Sequence, residues 1–154
     1  MANIFRLGGG NSAKKYIFKD GVWQSPYVHQ EIINHNASIL VADNLIKMTA
    51  TGQNSGNLKG EARLIITNLP IDHMIFVKFK KLNVPISDWL QFGIGSTLYC
   101  DGGIPSLALI TTKPTIFADT VREVDRRFDL FLSVFANSTC SLEIEEIWLE
   151  KINN

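Results

Sequence analysis

The residues from Phe128 to Leu149 constrain this chain more than any others, because they alternate apolar and polar side chains with the two-residue period of a β-strand, twice over. In the first half Phe128, Leu130, Leu132 and Val134 share one face. Asp129 and Ser133 lie on the other, where Phe131 and Phe135 add aromatic rings. In the second half Leu142 and Ile144 fall between Ser141, Glu143 and Glu145, ahead of Ile147, Trp148 and Leu149. Ala136 to Thr139 are all small or polar and read as a turn, so the pattern predicts a hairpin with one face in a core.

The same signals recur along the chain. Tyr16 to Gln24 reads as a tight hairpin, with Asp20 and Gly21 between apolar runs, and Ser38 to Thr51 as a second one turning at Asp43 and Asn44. Ser25 to Asn36 is irregular around Pro26, and Val28 to Ile33 suits a short strand or a single helical turn. The polar tract Thr51 to Gly60 reads as the longest loop. Ala62 to Thr67, Met74 to Lys81, Trp89 to Ser96, Leu107 to Thr112 and Thr115 to Phe117 read as strands, and Asp119 to Arg127 as a lead into Phe128. Within Trp89 to Ser96, Leu90, Phe92 and Ile94 share a face, while Gly93 and Gly95 on the other leave room for something to approach the backbone. Nine or ten short strands punctuated every 8 to 12 residues predict an all-β fold, an antiparallel two-sheet β-sandwich of jelly-roll type. No segment combines helical length with a 3.6-residue period.

A chain of 154 residues suits one domain, and 45% hydrophobic against 19% charged residues describe a globular one. The 15 basic and 15 acidic residues balance, which removes a bulk electrostatic case for nucleic acid or an anionic membrane surface. No stretch approaches the length of a membrane span, and Met1 to Leu7 are too short for the apolar core of a signal peptide. The expectation is a soluble protein made in the cytoplasm without a secretion signal. Cys100 and Cys140 are compatible with one disulfide, and two buried thiols are the simpler expectation. Gly8, Gly9 and Gly10 form a flexible joint, with no preceding strand and no following Gly-Lys-Ser/Thr to make a phosphate loop. The organisation expected is an N-terminal arm over 1–13 and a sandwich over 14–154.

Catalysis needs converging groups, and the sequence offers fragments. Asp72 and His73 are adjacent, so on a strand they point to opposite faces. His29, His35 and Glu31 match no zinc spacing. Glu143, Glu145 and Glu146 suit an outward face that blunts an edge better than a glycosidase pair. The Asn-X-Ser/Thr matches at Asn36 and Asn137 matter only in a secreted chain. No enzyme activity, cofactor or metal site is expected. Among the aromatic residues, Trp89 and Trp148 lie in apolar strands and are assigned to the core. Tyr27 and Tyr99 lie beside turns, where exposed rings suit a stacking platform for sugars.

Four segments carry a resemblance: the opening IFRLGGG, the KDGVW hairpin, FVKFKKL after the TNLPID crossing, and the ending FDLFLSVFANSTCSLEIEEIWLE. Together they resemble small β-sandwich, carbohydrate-binding-module-like virion proteins of tailed bacteriophages and prophages of Gram-positive bacteria. The resemblance covers most of the chain from Lys14 onward and transfers no catalytic or ligand residue. It implies a virion accessory protein: a capsid decoration protein, a head fibre or a small tail-associated protein. A glycan-binding adhesin for host cell-surface polysaccharide is the alternative, and a hydrolase on the same fold the third reading. Ile4, Phe5 and Leu7 in the arm are expected to dock onto other virion proteins, the alternative being that the arm is an edge strand of its own domain. The likeness and the apolar content together suggest a homo-oligomer, a trimer first.

Overall fold

The computed structural model describes residues 13–52, 59–84, 90–100, 109–111, 113–135 and 138–153. Ile4, Phe5 and Leu7, and with them the docking arm, lie outside the described residues. The strands are β1 (Lys15–Lys19), β2 (Val22–Trp23), β3 (Val28–Asn34), β4 (Ala37–Ala42), β5 (Leu45–Thr51), β6 (Gly60–Thr67) and β7 (His73–Val84). They continue as β8 (Leu90–Ile94), β9 (Thr97–Cys100), β10 (Leu109–Thr111), β11 (Thr115–Thr120), β12 (Phe128–Val134) and β13 (Thr139–Lys151). No helix occurs among the described residues. The fold is the expected antiparallel β-sandwich of jelly-roll type, with more strands than the nine or ten anticipated and two of them, β7 and β13, much longer than the rest.

An eight-stranded sheet is built on the long pair β7 and β13. One edge of β7 carries β10 and β11, and the other edge of β13 carries β1 with β2 and, further along, β5 with β4. The five-stranded sheet runs β3-β6-β12-β8-β9. The core between them is what the alternation demands: Ala62, Leu64 and Ile66 from β6, and Leu130, Leu132 and Val134 from β12, meet Ile75, Val77 and Phe79 from β7. Cys140, Leu142, Ile144, Ile147 and Leu149 from β13 complete it. Cys140 is thus buried.

Phe128 to Leu149 is not a hairpin. β12 pairs with β6 and β8, whereas β13 pairs with β1, β5 and β7, so the chain changes sheets between Val134 and Thr139. The alternation requires each strand to turn one face to a core but does not say whether the two faces lie side by side or across from each other. Four linking residues at roughly 3.3 Å each are enough to cross the ~10 Å between packed sheets.

The two other hairpins are as expected. Both turns run through left-handed backbone, at Asp20 and Gly21 (φ 52° and 78°) and at Asp43 and Asn44 (φ 54° and 62°), the geometry that matches the strand twist. In the register between β7 and β13, Lys80 and Glu145 are each left over. That bulge lets Glu145 and Glu146 both stay half-exposed while Ile144 and Ile147 stay in the core.

Trp148 is buried, as expected, but not between the two sheets. It is only 2% exposed, yet it belongs to the outer face of the larger sheet, in one cross-strand row with Tyr16 and Phe76. Its ring is stacked on Phe76 (5.2 Å between centroids, 6° between planes), and Lys14 Nζ lies 4.2 Å from its centroid. The indole N–H donates to Glu150 Oε1 at 3.0 Å, which satisfies a buried donor.

Candidate functional site

The outer face of the five-stranded sheet is the surface best equipped to bind. Register places Ile32, Arg63, Phe131 and Gly93 in one row across β3, β6, β12 and β8. The flanking rows are Asn34, Glu61, Ser133 and Gln91 on one side and Gln30, Ile65 and Asp129 on the other. On β6, β12 and β8 these positions alternate with core residues such as Leu64, Leu132 and Phe92, so the sequence sends them outward, while β3 is exposed along most of its length.

Phe131 is laid down on the sheet. A Cβ at Gly93 would collide with the Phe131 ring, so the absent side chain is what lets the ring lie over β8. The Arg63 guanidinium lies 5.1 Å from the centroid of the same ring, within cation–π range. Arg63 also reaches Asp129 Oδ2 at 3.5 Å, and Asp129 receives two hydrogen bonds from Arg127, at 2.5 and 2.6 Å. The hydrogen bond to Asp129 keeps the Arg127 guanidinium protonated even more firmly than usual, against the opposing effect of burial. On the far side Lys59 pairs with Glu61 at 3.0 Å and reaches within 5.8 Å of the Phe135 ring. Ser133 Oγ and Arg63 Nε, in adjoining rows of this face, are buried without a hydrogen-bond partner. Buried polar atoms are rarely left so.

The aromatic row on the opposite sheet is closed by comparison, because Trp148 is covered by Phe76 and Lys14. Two small clefts lie beside the hairpin turns. One, of about 380 Å³, is lined by Tyr16, Lys19, Asp20, Val22 and Gln24. The other, of about 260 Å³, gathers Asp20, Asp43, Glu145 and Glu146 with Lys80. Among the described residues no three His, Cys, Asp or Glu side chains are grouped to hold a metal ion.

Of the aromatic candidates from the sequence, Tyr27 is half-buried and packs against the core, not an exposed ring. Tyr99 lies in β9 with its side chain outside the described residues. His29 stacks on Trp23 (3.9 Å, 10°), and Trp23 in turn meets Phe18 edge-on at 5.2 Å, so this imidazole bridges the two sheets. His73 is buried and its Nδ1 lies 2.9 Å from the Ile71 carbonyl oxygen, with Asp72 in left-handed backbone. Phe131, Arg63 and Asp129 were not singled out by the sequence as a site. The usable signals were an aromatic residue among the outward positions of β12 and a glycine, Gly93, at an outward position of β8.

No family model matches the sequence, and no curated protein matches it. Among solved structures, one from work on endo-acting O-glycanases with which human gut microbiota initiate mucin breakdown aligns over 96% of this chain and 97% of its own, at 11% identity and a TM-score of 0.47. The second N-terminal cellulose-binding domain of Cellulomonas fimi β-1,4-glucanase C aligns over 94% and 100%, at 13% and 0.41. The enzymatically active domain of bacteriophage CBA120 tailspike protein 4 aligns over 83% of this chain and 20% of its own, at 10% and 0.39.

Proposed function

We propose that the protein is a non-catalytic glycan-binding β-sandwich, displayed as an accessory component of a bacteriophage particle, and that the polysaccharide lies across the outer face of the five-stranded sheet. The observation that carries this reading is the Phe131 ring flattened over Gly93, with Arg63, Asp129, Glu61 and Gln91 around it. A pyranose presents C–H groups on its face and hydroxyls at its rim. The ring suits the first, and the charged and amide side chains suit the second. The virion half of the proposal rests on the resemblance to small phage β-sandwich proteins.

The test is binding to isolated Gram-positive cell-wall polysaccharides, first on an array and then by calorimetry. Phe131→Ala is expected to weaken binding about tenfold, since an aromatic contact is worth about 0.5–1.5 kcal/mol and 1.4 kcal/mol is a factor of ten. Absence of binding to any polysaccharide removes the glycan reading, and full affinity in the variant removes this face as its site. Mass spectrometry of purified particles tests the virion half separately.

A further inference from the structure

Among the described residues β3 is the outermost strand of the five-stranded sheet, and Glu31 is the one formally charged side chain along its free edge. Its seven residues, Val28 to Asn34, contain no lysine, arginine or proline. Val28 is 51% exposed, Ile32 41% and Ile33 43%. Folded proteins normally blunt such an edge with lysine, proline or a bulge, because a row of unpaired N–H and C=O groups beside apolar side chains is a template for another strand. Other edges differ: β2 is two residues long, β11 is preceded by Lys113 and Pro114 and carries Asp119, and β4, paired among the described residues with β5 alone, is a second open edge with Leu40 and Val41 exposed.

We infer that β3 pairs antiparallel with β3 of a second copy of this chain, centred on Gln30. Antiparallel pairing of identical strands is two-fold symmetric, so it closes after two copies. Three registers keep each face continuous across the axis and centre near the middle of the strand. Centring on Glu31 sets two carboxylates opposite each other, which is unfavourable in a sheet. Centring on Ile32 sets Glu31 against Ile33 and His29 against His35. Centring on Gln30 sets His29 against Glu31 of the second copy, an imidazole against a carboxylate, on both sides of the axis. It also sets Val28 against Ile32 on the outer face, matching the two exposed apolar side chains of that face. This charge and shape complementarity of the strand with itself selects a second copy over an unrelated partner. The two five-stranded sheets then form one continuous sheet.

A single strand pair lies at the small end of specific interfaces, so the dimer is read at about 100 μM. Light scattering is expected to give twice the 17.2 kDa chain mass there. Ile32→Lys, placing a charge at an exposed edge position, is expected to return the monomer with its β circular dichroism and melting temperature intact. Gln30→Cys tests the register: two Gln30 Cα atoms face each other within the reach of a disulfide, whereas two Ile32 Cα atoms lie about 14 Å apart. Mild oxidation is therefore expected to cross-link Gln30→Cys and not Ile32→Cys, each read against the wild-type chain with its own Cys100 and Cys140. A wild-type monomer or trimer at this concentration, or an Ile32→Lys dimer, overturns the pairing. Cross-linking at Ile32→Cys but not at Gln30→Cys overturns the register.

Discussion

Two glycines on the five-stranded sheet show how differently the same absence can be used. At Gly60 a Cβ would be driven into the Thr51 carbonyl and lie 2.8 Å from the Thr51 nitrogen and 2.9 Å from the Asn36 carbonyl oxygen. These are backbone atoms held by the Thr51 N–H to Asn36 bond of 2.8 Å, and they have nowhere to go. Gly60→Ala is expected to cost about 1–3 kcal/mol, seen as a melting temperature lower by several degrees. At Gly93 the obstacle is the half-exposed Phe131 ring, which is free to swing outward. Gly93→Ala is expected to cost under about 1 kcal/mol yet to weaken glycan binding as much as Phe131→Ala, because the ring no longer lies flat. Calorimetric melting and binding on the same pair of variants check both. The sequence exposed the second site in part, since Gly93 on an outward face signals space above the backbone. It did not name Phe131 as the group that fills that space, because the pairing of β8 with β12 is a contact between residues some forty apart. Gly60 read only as the end of a polar loop, for the same reason.

Turns and hairpins are local, and they were the legible elements: Asp20-Gly21 and Asp43-Asn44 select left-handed backbone by their own chemistry. The second turn carries its own ion pair, Asp43 Oδ2 to Lys47 Nζ at 2.6 Å. The hydrogen bond and charge of Lys47 hold the Asp43 carboxyl below the usual carboxylate value, and Asp43 holds the Lys47 ammonium above its own. A depressed folded-state pKa means that the contact contributes above the unfolded-chain value and is lost as pH falls through the folded one. Following the Asp43 carboxyl carbon by NMR is expected to show the low titration, and Lys47→Ala to restore the ordinary value. The pair is exposed, so little stability accompanies it. The step from β12 to β13 was misread because its linker is equally suited to turning within a sheet or crossing between sheets. A different crossing is fastened by a side chain: Asp119 Oδ2 on β11 accepts from the Ser96 N–H at 2.7 Å and from its hydroxyl at 2.9 Å, tying the edge of one sheet to the β8–β9 turn of the other.

At the scale of the molecule, alternation was enough to establish two packed sheets, because period-two burial leaves an antiparallel chain few other ways to hide one face of each strand. It was not enough to order the strands, since that order depends on which edges meet. The order has a consequence for how the molecule comes into being. β13 is last in sequence and central in its sheet, holding β7 along one side and β1 and β5 along the other. During synthesis, therefore, β1 and β5 wait without their partner for about a hundred residues, while β2, β3 and β4 can already turn back on their neighbours. Such non-local pairings are slow and leave apolar strand edges open to other chains. A fragment ending at Ser138 is expected to lack cooperative unfolding and to aggregate. Supplying residues 139–153 as a separate peptide is expected to restore a cooperative transition, so that the last strand acts as the latch that closes the fold.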